Sequence, residues 1–460
     1  MVLVHGKEWP RALAALRAVI EARNFNNLPS DVKYEALSTA SRVAIYHGPP
    51  KLGSGYLDRV LAMPQAQYDD WLERLREADK ANNSADSVGT LTVMMQRWPD
   101  RAGKLDEEYI LKVARQANQL PAAVALPLLH ALYDAHWKRK WDIEASTVWR
   151  DLALLLLEKG RIPEAIDVST HVTDVYVLIA MRADRRFDAV VAGSPEQFDI
   201  DAAADREFHI FQGAAEKSPQ ALELRSWVVN LLLRQQHYEA ALAASDSVLS
   251  DIRSTNYPDK LYEDYDEQRS LFLDIRSTVL ERVGRWDEAV AQLKAASLLN
   301  QKYSGNVDQL INLGDLYCEL ERPRDALAAI GTMVAATSPF GAMELESVRL
   351  EAAEQLRDTQ QVRLSLEYLR AHRADAPSTY RDSLMVVNQL DQAAHVLIAQ
   401  LLNKNLRQDA LLSVQGFAPI PGTPRDMELE ARRRTVIARP DVQAAIQKVG
   451  RVESYRLEAP

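Results

Sequence analysis

The sequence predicts an all-α protein built as a stack of antiparallel helix pairs. Three observations lead there. A short pattern of turn, bulky residue and small residue recurs along the chain. Leu, Ala, Glu, Arg and Gln, all good helix formers, are abundant, whereas Gly and Pro number only 17 and 20 in 460 residues. The prolines Pro49, Pro50, Pro64, Pro99, Pro121, Pro195, Pro219, Pro258, Pro339 and Pro377 fall between periodic segments.

The recurring pattern is clearest in Gly284-Arg285-Trp286-Asp287-Glu288-Ala289. Leu313-Gly314-Asp315-Leu316-Tyr317 and the following Pro323-Arg324-Asp325-Ala326 repeat it, with Pro323 standing 37 residues after Trp286. Upstream, Trp149, Leu152, Ala153 and Leu156 lead into Gly160-Arg161-Ile162-Pro163-Glu164-Ala165. Val228, Val229 and Leu232 lead into Tyr238-Glu239-Ala240-Ala241. A small residue on each helix lets two helices approach closely, and bulky neighbours fill the space around that contact.

These segments resemble tetratricopeptide repeats. The resemblance rests on Trp149, Gly160, Ala165, Ala241, Gly284, Ala289, Leu313, Gly314, Tyr317 and Ala326, and it is strongest over residues 146–335. It implies a right-handed superhelical α-solenoid whose first helices line a groove. Weaker units extend it. Trp9–Leu13 and Phe187–Val190 read as helix starts, and Leu345–Leu369 and Leu390–Leu412 as helix pairs by their 3.6-residue period. Ser254–Asp266, rich in Tyr and Asp, reads as a longer loop between units. The expected organisation is a degenerate helical-repeat region at 1–140, a solenoid at 141–415, and a Pro-rich linker with two short C-terminal helices at 416–460.

Chemistry-bearing motifs are scarce. Gly48–Gly55 carries two prolines where a phosphate cradle needs N–H donors, and reads as an inter-helix loop. His130 and His136, expected on one helix over Leu128–Lys138, are six apart, which is not the spacing of a helical zinc pair. The single cysteine, Cys318, can form no intramolecular disulfide and reads as a buried thiol. No catalytic, cofactor or metal residues are nominated, and no cofactor is expected. An enzyme working through residues 1–140 is the least favoured reading.

The net charge of −10 disfavours nucleic acid. Arg432, Arg433 and Arg434 follow Glu428 and Glu430 at compensating helical spacings. No run of 18 apolar residues suggests membrane insertion. Met1–Ala15 lacks the pattern of a secretion signal, which places the chain in the cytoplasm as it stands, with export open if a leader has been removed. The oligomeric state stays open.

The expected function is therefore a non-enzymatic protein–protein interaction scaffold. The alternative is a regulatory or sensor protein that binds a peptide or small ligand. If the register holds, the groove is lined by Asn230 and Arg234, by Asp274, Thr278 and Glu281, and by Ile311, Asp315 and Glu319. Its acidic part suits a protein or peptide segment that is basic or neutral. Tyr257, Tyr262 and Tyr265 are a second candidate surface, unless they pack beneath their loop.

Overall fold

The computed structural model describes residues 8–299, 307–331 and 338–460. The leader reading at Met1–Ala15 therefore falls partly outside the described residues. Among these the chain is helical, and its only β-type pairings are two isolated bridges, Asp184 with Gly450 and Gly416 with Ser454. It divides into two compact units: Met1–Lys140 with Thr147–Val168, and Trp141–Ser146 with Ser169–Pro460.

Unit 1 runs through α1 (Trp9–Ile20), α2 (Ser30–His47), α3 (Pro50–Leu61), α4 (Tyr68–Lys80), α5 (Ser84–Arg97), α6 (Pro99–Ala102), α7 (Glu107–Ala117) and α8 (Ala122–Asp134). The hairpin α9 (Ser146–Glu158) and α10 (Ile162–Ser169) completes it, apart from their outermost residues. Two expectations are corrected here. The Gly48–Gly55 segment is mostly helix, because Pro50 sits in the first turn of α3, where its missing N–H costs nothing. His136 lies beyond α8, in a turn with φ of 50°, so it does not share a helix with His130. Buried acids in this unit are taken up by hydroxyl donors: Tyr34 and Ser38 donate to Asp70 at 2.7 and 2.9 Å, and Tyr46 donates to Glu73 at 2.5 Å.

Unit 2 opens with α11 (Val175–Ala183), α12 (Asp188–Gly193) and α13 (Ile200–Lys217). Five hairpins follow. They are α14 (Leu222–Arg234) with α15 (Tyr238–Arg253), then, after the short α16 (Pro258–Leu261), α17 (Tyr265–Arg282) with α18 (Trp286–Ser297). Next come α19 (Val307–Glu319) with α20 (Pro323–Ile330), α21 (Pro339–Gln355) with α22 (Thr359–Ala371), and α23 (Pro377–Val386) with α24 (Leu390–Leu402). Each second helix packs against the first helix of the next hairpin, and successive first helices also touch one another. Helices α25 (Arg407–Ser413), α26 (Pro424–Ile437) and α27 (Pro440–Val449) finish the unit.

All five hairpins turn in the same way. Gln236, Gly284, Glu321, Arg357 and Asn388 each take a left-handed conformation, with φ between 54° and 76°. The next N–H then reaches back to a carbonyl five residues earlier: His237 to Leu232, Arg285 to Leu280, Arg322 to Tyr317, Asp358 to Ala353 and Gln389 to Leu384, at 2.7–2.9 Å. This bond satisfies carbonyls that a helix end leaves orphaned. Only Gly284 takes the conformation without steric strain. The other four turns are held by the packing around them, and that is why their sequences lack the glycine signal.

The core between hairpins is Leu- and Ala-rich, as the pattern of small residues requires. Around α17–α21 it gathers Ala289, Leu293, Leu316, Tyr317, Ala326 and Val348. Gly314 is the closest approach: a Cβ there would meet Val348 Cγ1 at 2.8 Å and Ile330 Cγ2 at 3.0 Å. Gly314→Val is expected to destabilise unit 2 by about 1–3 kcal/mol, from overpacking rather than backbone strain. Urea unfolding followed by circular dichroism checks this, and an unchanged midpoint would contradict it.

The Tyr-rich segment is not a simple loop. It contains α16, and Tyr262 and Tyr265 are buried with Leu222 and Phe272, while Tyr257 is exposed. Asp264 accepts from the N–H groups of Leu222 and Glu223 at 2.7 and 2.9 Å, so it satisfies the start of α14 from the following hairpin.

Unit 2 also closes on itself. Helix α11 packs on α25, and Arg451 N–H donates to Ala183 O at 3.0 Å. At Gly450 a Cβ would lie 2.3 Å from that same carbonyl, so the approach needs glycine. The Pro-rich stretch lies against this closure. Gly416 N–H donates to Glu453 O, Tyr455 N–H to Gly416 O, and Ala418 N–H to Leu457 O, at 2.7–2.9 Å. The Phe417 ring sits 6.0 Å from both Tyr176 and Tyr455.

Candidate functional site

The first helices of the hairpins share a face, and the nominated residues can be placed on it one by one. On α14, Asn230 and Arg234 are one turn apart. The Arg234 guanidinium lies 4.8 Å from the Tyr176 ring centroid and 3.9 Å from the Glu207 carboxyl. On α17, Asp274 accepts from Asn312 at 2.8 Å and Gln309 at 3.2 Å. Thr278 turns its hydroxyl back to Asp274 O at 3.5 Å. Glu281 accepts from Ser277 at 3.2 Å. On α19, Asp315 and Glu319 are one turn apart, and neither side chain has a hydrogen bond or ion pair among the described residues.

Ile311 does not belong to this surface. It is buried in the core with Leu313 and Leu316, as is Cys318, because α19 is covered on three sides by α18, α20 and α21. The thiol of Cys318 is pushed up by burial, which suits an inert packing role.

The carboxyl groups that remain influence one another. Burial raises Asp274 to about 6, against the lowering effect of the Gln309 and Asn312 amides. It raises Glu281 to about 7, with Arg282 opposing. Glu319 rises to about 9, through burial first and then Glu281, Asp426 and Asp315. Asp315 keeps some surface open, yet burial lifts it well above the carboxylate range, and Glu351 and Glu344 on α21 lift it further. Opposing this row stand two guanidinium groups. Arg282 is 3.9 Å from Glu281, and Arg425 is paired with Glu351 and Glu354. Among the described residues, three successive first helices thus present more carboxyl groups than the guanidinium groups near them.

The other end of the face is cationic and filled. Arg282 donates to the Glu458 carboxylate at 3.2 and 3.3 Å. Glu458 N–H donates to Arg234 O at 2.9 Å, and Tyr176 Oη donates to Glu458 O at 2.8 Å. Arg182 pairs with Glu453.

Sequence reading did not nominate Tyr176, Tyr238, Glu344, Glu351, Arg425 or Glu458. Glu344 and Glu351 stand on the first helix of the next hairpin, so carrying the register one unit further would have reached them. Arg425 and Glu458 lie in non-repeating segments, where no period exists to follow.

No family model matches the sequence, and no curated protein matches it. Solved structures do. One is the crystal structure of the APC/C hetero-tetramer Cut9–Hcn1, with 12% identity over 97% of this chain and 78% of that one, at a TM-score of 0.33. Another is the TPR domain of P58(IPK), with 13% identity over 83% of this chain and 98% of that one, at a TM-score of 0.17. The helix pairing and the five shared turns carry the fold assignment. The fold is a stack of antiparallel helix pairs. Asp274 and Glu281 stand on α17 and Asp315 and Glu319 on α19, two first helices that touch. Among the described residues no helix is long and apolar enough to cross a membrane.

Proposed function

We propose that this protein is a non-enzymatic interaction scaffold, and that the acid row on the first helices of unit 2 holds a basic or neutral segment of a partner protein. One observation supports this above the others. Asp315 and Glu319 are half-buried, burial raises both carboxyl groups, and neither makes a hydrogen bond or ion pair among the described residues, Arg282 being the one cation that acts on Glu319 from nearby. A lysine or arginine from a partner supplies the missing charge and draws the carboxyl groups back to their ionised form.

The sensor reading gains from a separate observation. Segment 451–458 of the chain itself is held on this face through main-chain hydrogen bonds, including Glu458 N–H to Arg234 O, which supports a surface able to take a peptide backbone.

Crosslinked affinity purification from the native cell, read by mass spectrometry, tests the scaffold. It is run beside a chain carrying Glu281→Gln, Asp315→Asn and Glu319→Gln, which preserve shape and remove charge. A stoichiometric partner that falls at least about tenfold in the variant is the expected result. A partner retained equally would place binding elsewhere and refute the acid row as the site.

A further inference from the structure

The cationic end of the same face has its own occupant. Segment 451–458 runs across α11, α14 and α17, bonded to 416–418 around the Gly416–Ser454 bridge and bending at Arg456 and Leu457. Its Leu457 and Glu458 are 4% and 5% exposed, as buried as core residues. Glu458 is held through three of its groups: carboxylate to Arg282, N–H to Arg234 O, and carbonyl to Tyr176 Oη. Five residues earlier, Glu453 meets Arg182. The contacts are those of a bound peptide: main-chain hydrogen bonds for grip, with a leucine and two carboxylates for selection.

The fit is incomplete. Among the described residues, Asn230 Oδ1 and Arg234 Nη1, one turn apart on α14, are buried without a hydrogen-bond partner, and Arg234 is the one that touches this occupant. Tyr238 lies beside Glu458, and burial together with that carboxylate raises its pKa. Folded proteins leave few buried polar groups unmet, because each costs free energy. An occupant with one more acceptor near Arg234 and a donor for Asn230 would satisfy both.

We propose that the cationic end of this face is a docking site for an extended acidic segment of a partner protein, and that segment 451–458 occupies it within the chain as a built-in competitor. The partner segment carries an apolar residue followed by a carboxylate, as Leu457-Glu458 does, with a second carboxylate about five residues before. The site shares Arg282 with the acid row, where that guanidinium lies 3.9 Å from Glu281, and the two proposals are separated by their probes, a basic segment for one and an acidic peptide for the other.

The probe is a fluorescent peptide of sequence 450–460 added to the full chain and followed by anisotropy. Wild-type protein is expected to bind it weakly, because the covalent copy is present at high effective concentration. Glu458→Lys loosens that copy and is expected to tighten binding of the added peptide at least about tenfold, with the loss of a similar factor when the peptide itself carries Glu458→Gln. Combining Glu458→Lys with Arg282→Glu restores a pair within the chain and is expected to abolish the gain. If Glu458→Lys binds no better than wild type, or if a scrambled peptide binds as well, the proposal is wrong. Should the variant unfold, hydrogen exchange of the wild-type chain decides instead. Excess peptide must raise exchange at the Glu458 amide, and unchanged exchange overturns the proposal. A wild-type dimer that the peptide dissociates would assign the site to a second copy of the chain and overturn the partner reading.

Discussion

Arg425→Ala lowers the stability of unit 2 by about 3–5 kcal/mol, the usual cost of removing one partner from a buried ionic cluster. Arg425 is 6% exposed, and its guanidinium reaches Glu351 at 2.9 Å, Glu428 at 3.0 Å and Glu354 at 3.1 Å. It joins the start of α26 to the end of α21, across more than 70 residues of sequence. Its loss leaves Glu351 close to Asp315 with no cation between them. The melting temperature should fall by about 6–10 °C for a unit of this size. Adding Glu351→Gln to Arg425→Ala should recover part of the loss, since the two sites share one cluster. A fall of less than about 1 kcal/mol would show that Arg425 is solvated and that the acid row lacks the confinement described above.

Glu319→Gln is expected to stabilise the protein at pH 9 and to leave it nearly unchanged at pH 5. The sign follows from the direction of the shifts. Glu319, Glu281 and Asp274 are raised to about 9, 7 and 6 in the folded chain, above their unfolded values near 4. The folded state therefore binds more protons than the unfolded state between about pH 4 and 9. The stability these groups contribute is complete below about pH 4 and is lost as pH rises through their folded values. A glutamine at this position keeps the shape of the protonated acid and cannot ionise. Because Glu281 and Asp315 share the repulsion, the gain at pH 9 is on the order of 2 kcal/mol rather than the full shift. Chemical denaturation at both pH values checks this. Equal effects at pH 5 and pH 9 would mean that Glu319 titrates as an ordinary surface acid.

Much of the helical stack is legible in the sequence, for reasons that individual residues make clear. Ala289 and Ala326 sit where two helices meet, and the chain has few other ways to bring backbones that close. Trp286 and Tyr317 fill the adjoining space. The expectation for Asp274, Glu281, Asp315 and Glu319 rests on the register that a repeat carries. Ile311 shows the limit of that rule. It obeys the same spacing, yet packing by α18, α20 and α21 on α19 decides burial, and one helix's period contains no information about its neighbours.

What escaped is non-local. Four of the five hairpin turns put Gln236, Glu321, Arg357 or Asn388 in a conformation that favours glycine, so the turns are fixed by tertiary packing and not by local preference. The closure of α11 on α25, and the seating of Glu458 on Arg282, join residues 176 or more positions apart. Pro419 and Pro421 lie outside helix, and Pro424 opens α26. They do not reveal that the stretch is pinned by Phe417 between Tyr176 and Tyr455.

The acid row as a receptor for a basic segment is tested most directly by proton release on binding. The segment recovered by crosslinking is titrated into the full chain at pH 7 in two buffers of different ionisation enthalpy, by calorimetry. A cation placed against Glu319, Glu281 and Asp315 must lower their pKa values and expel protons, so the account predicts a net release that disappears in Glu281→Gln, Asp315→Asn, Glu319→Gln protein. Binding with no proton release in the wild-type chain would contradict it.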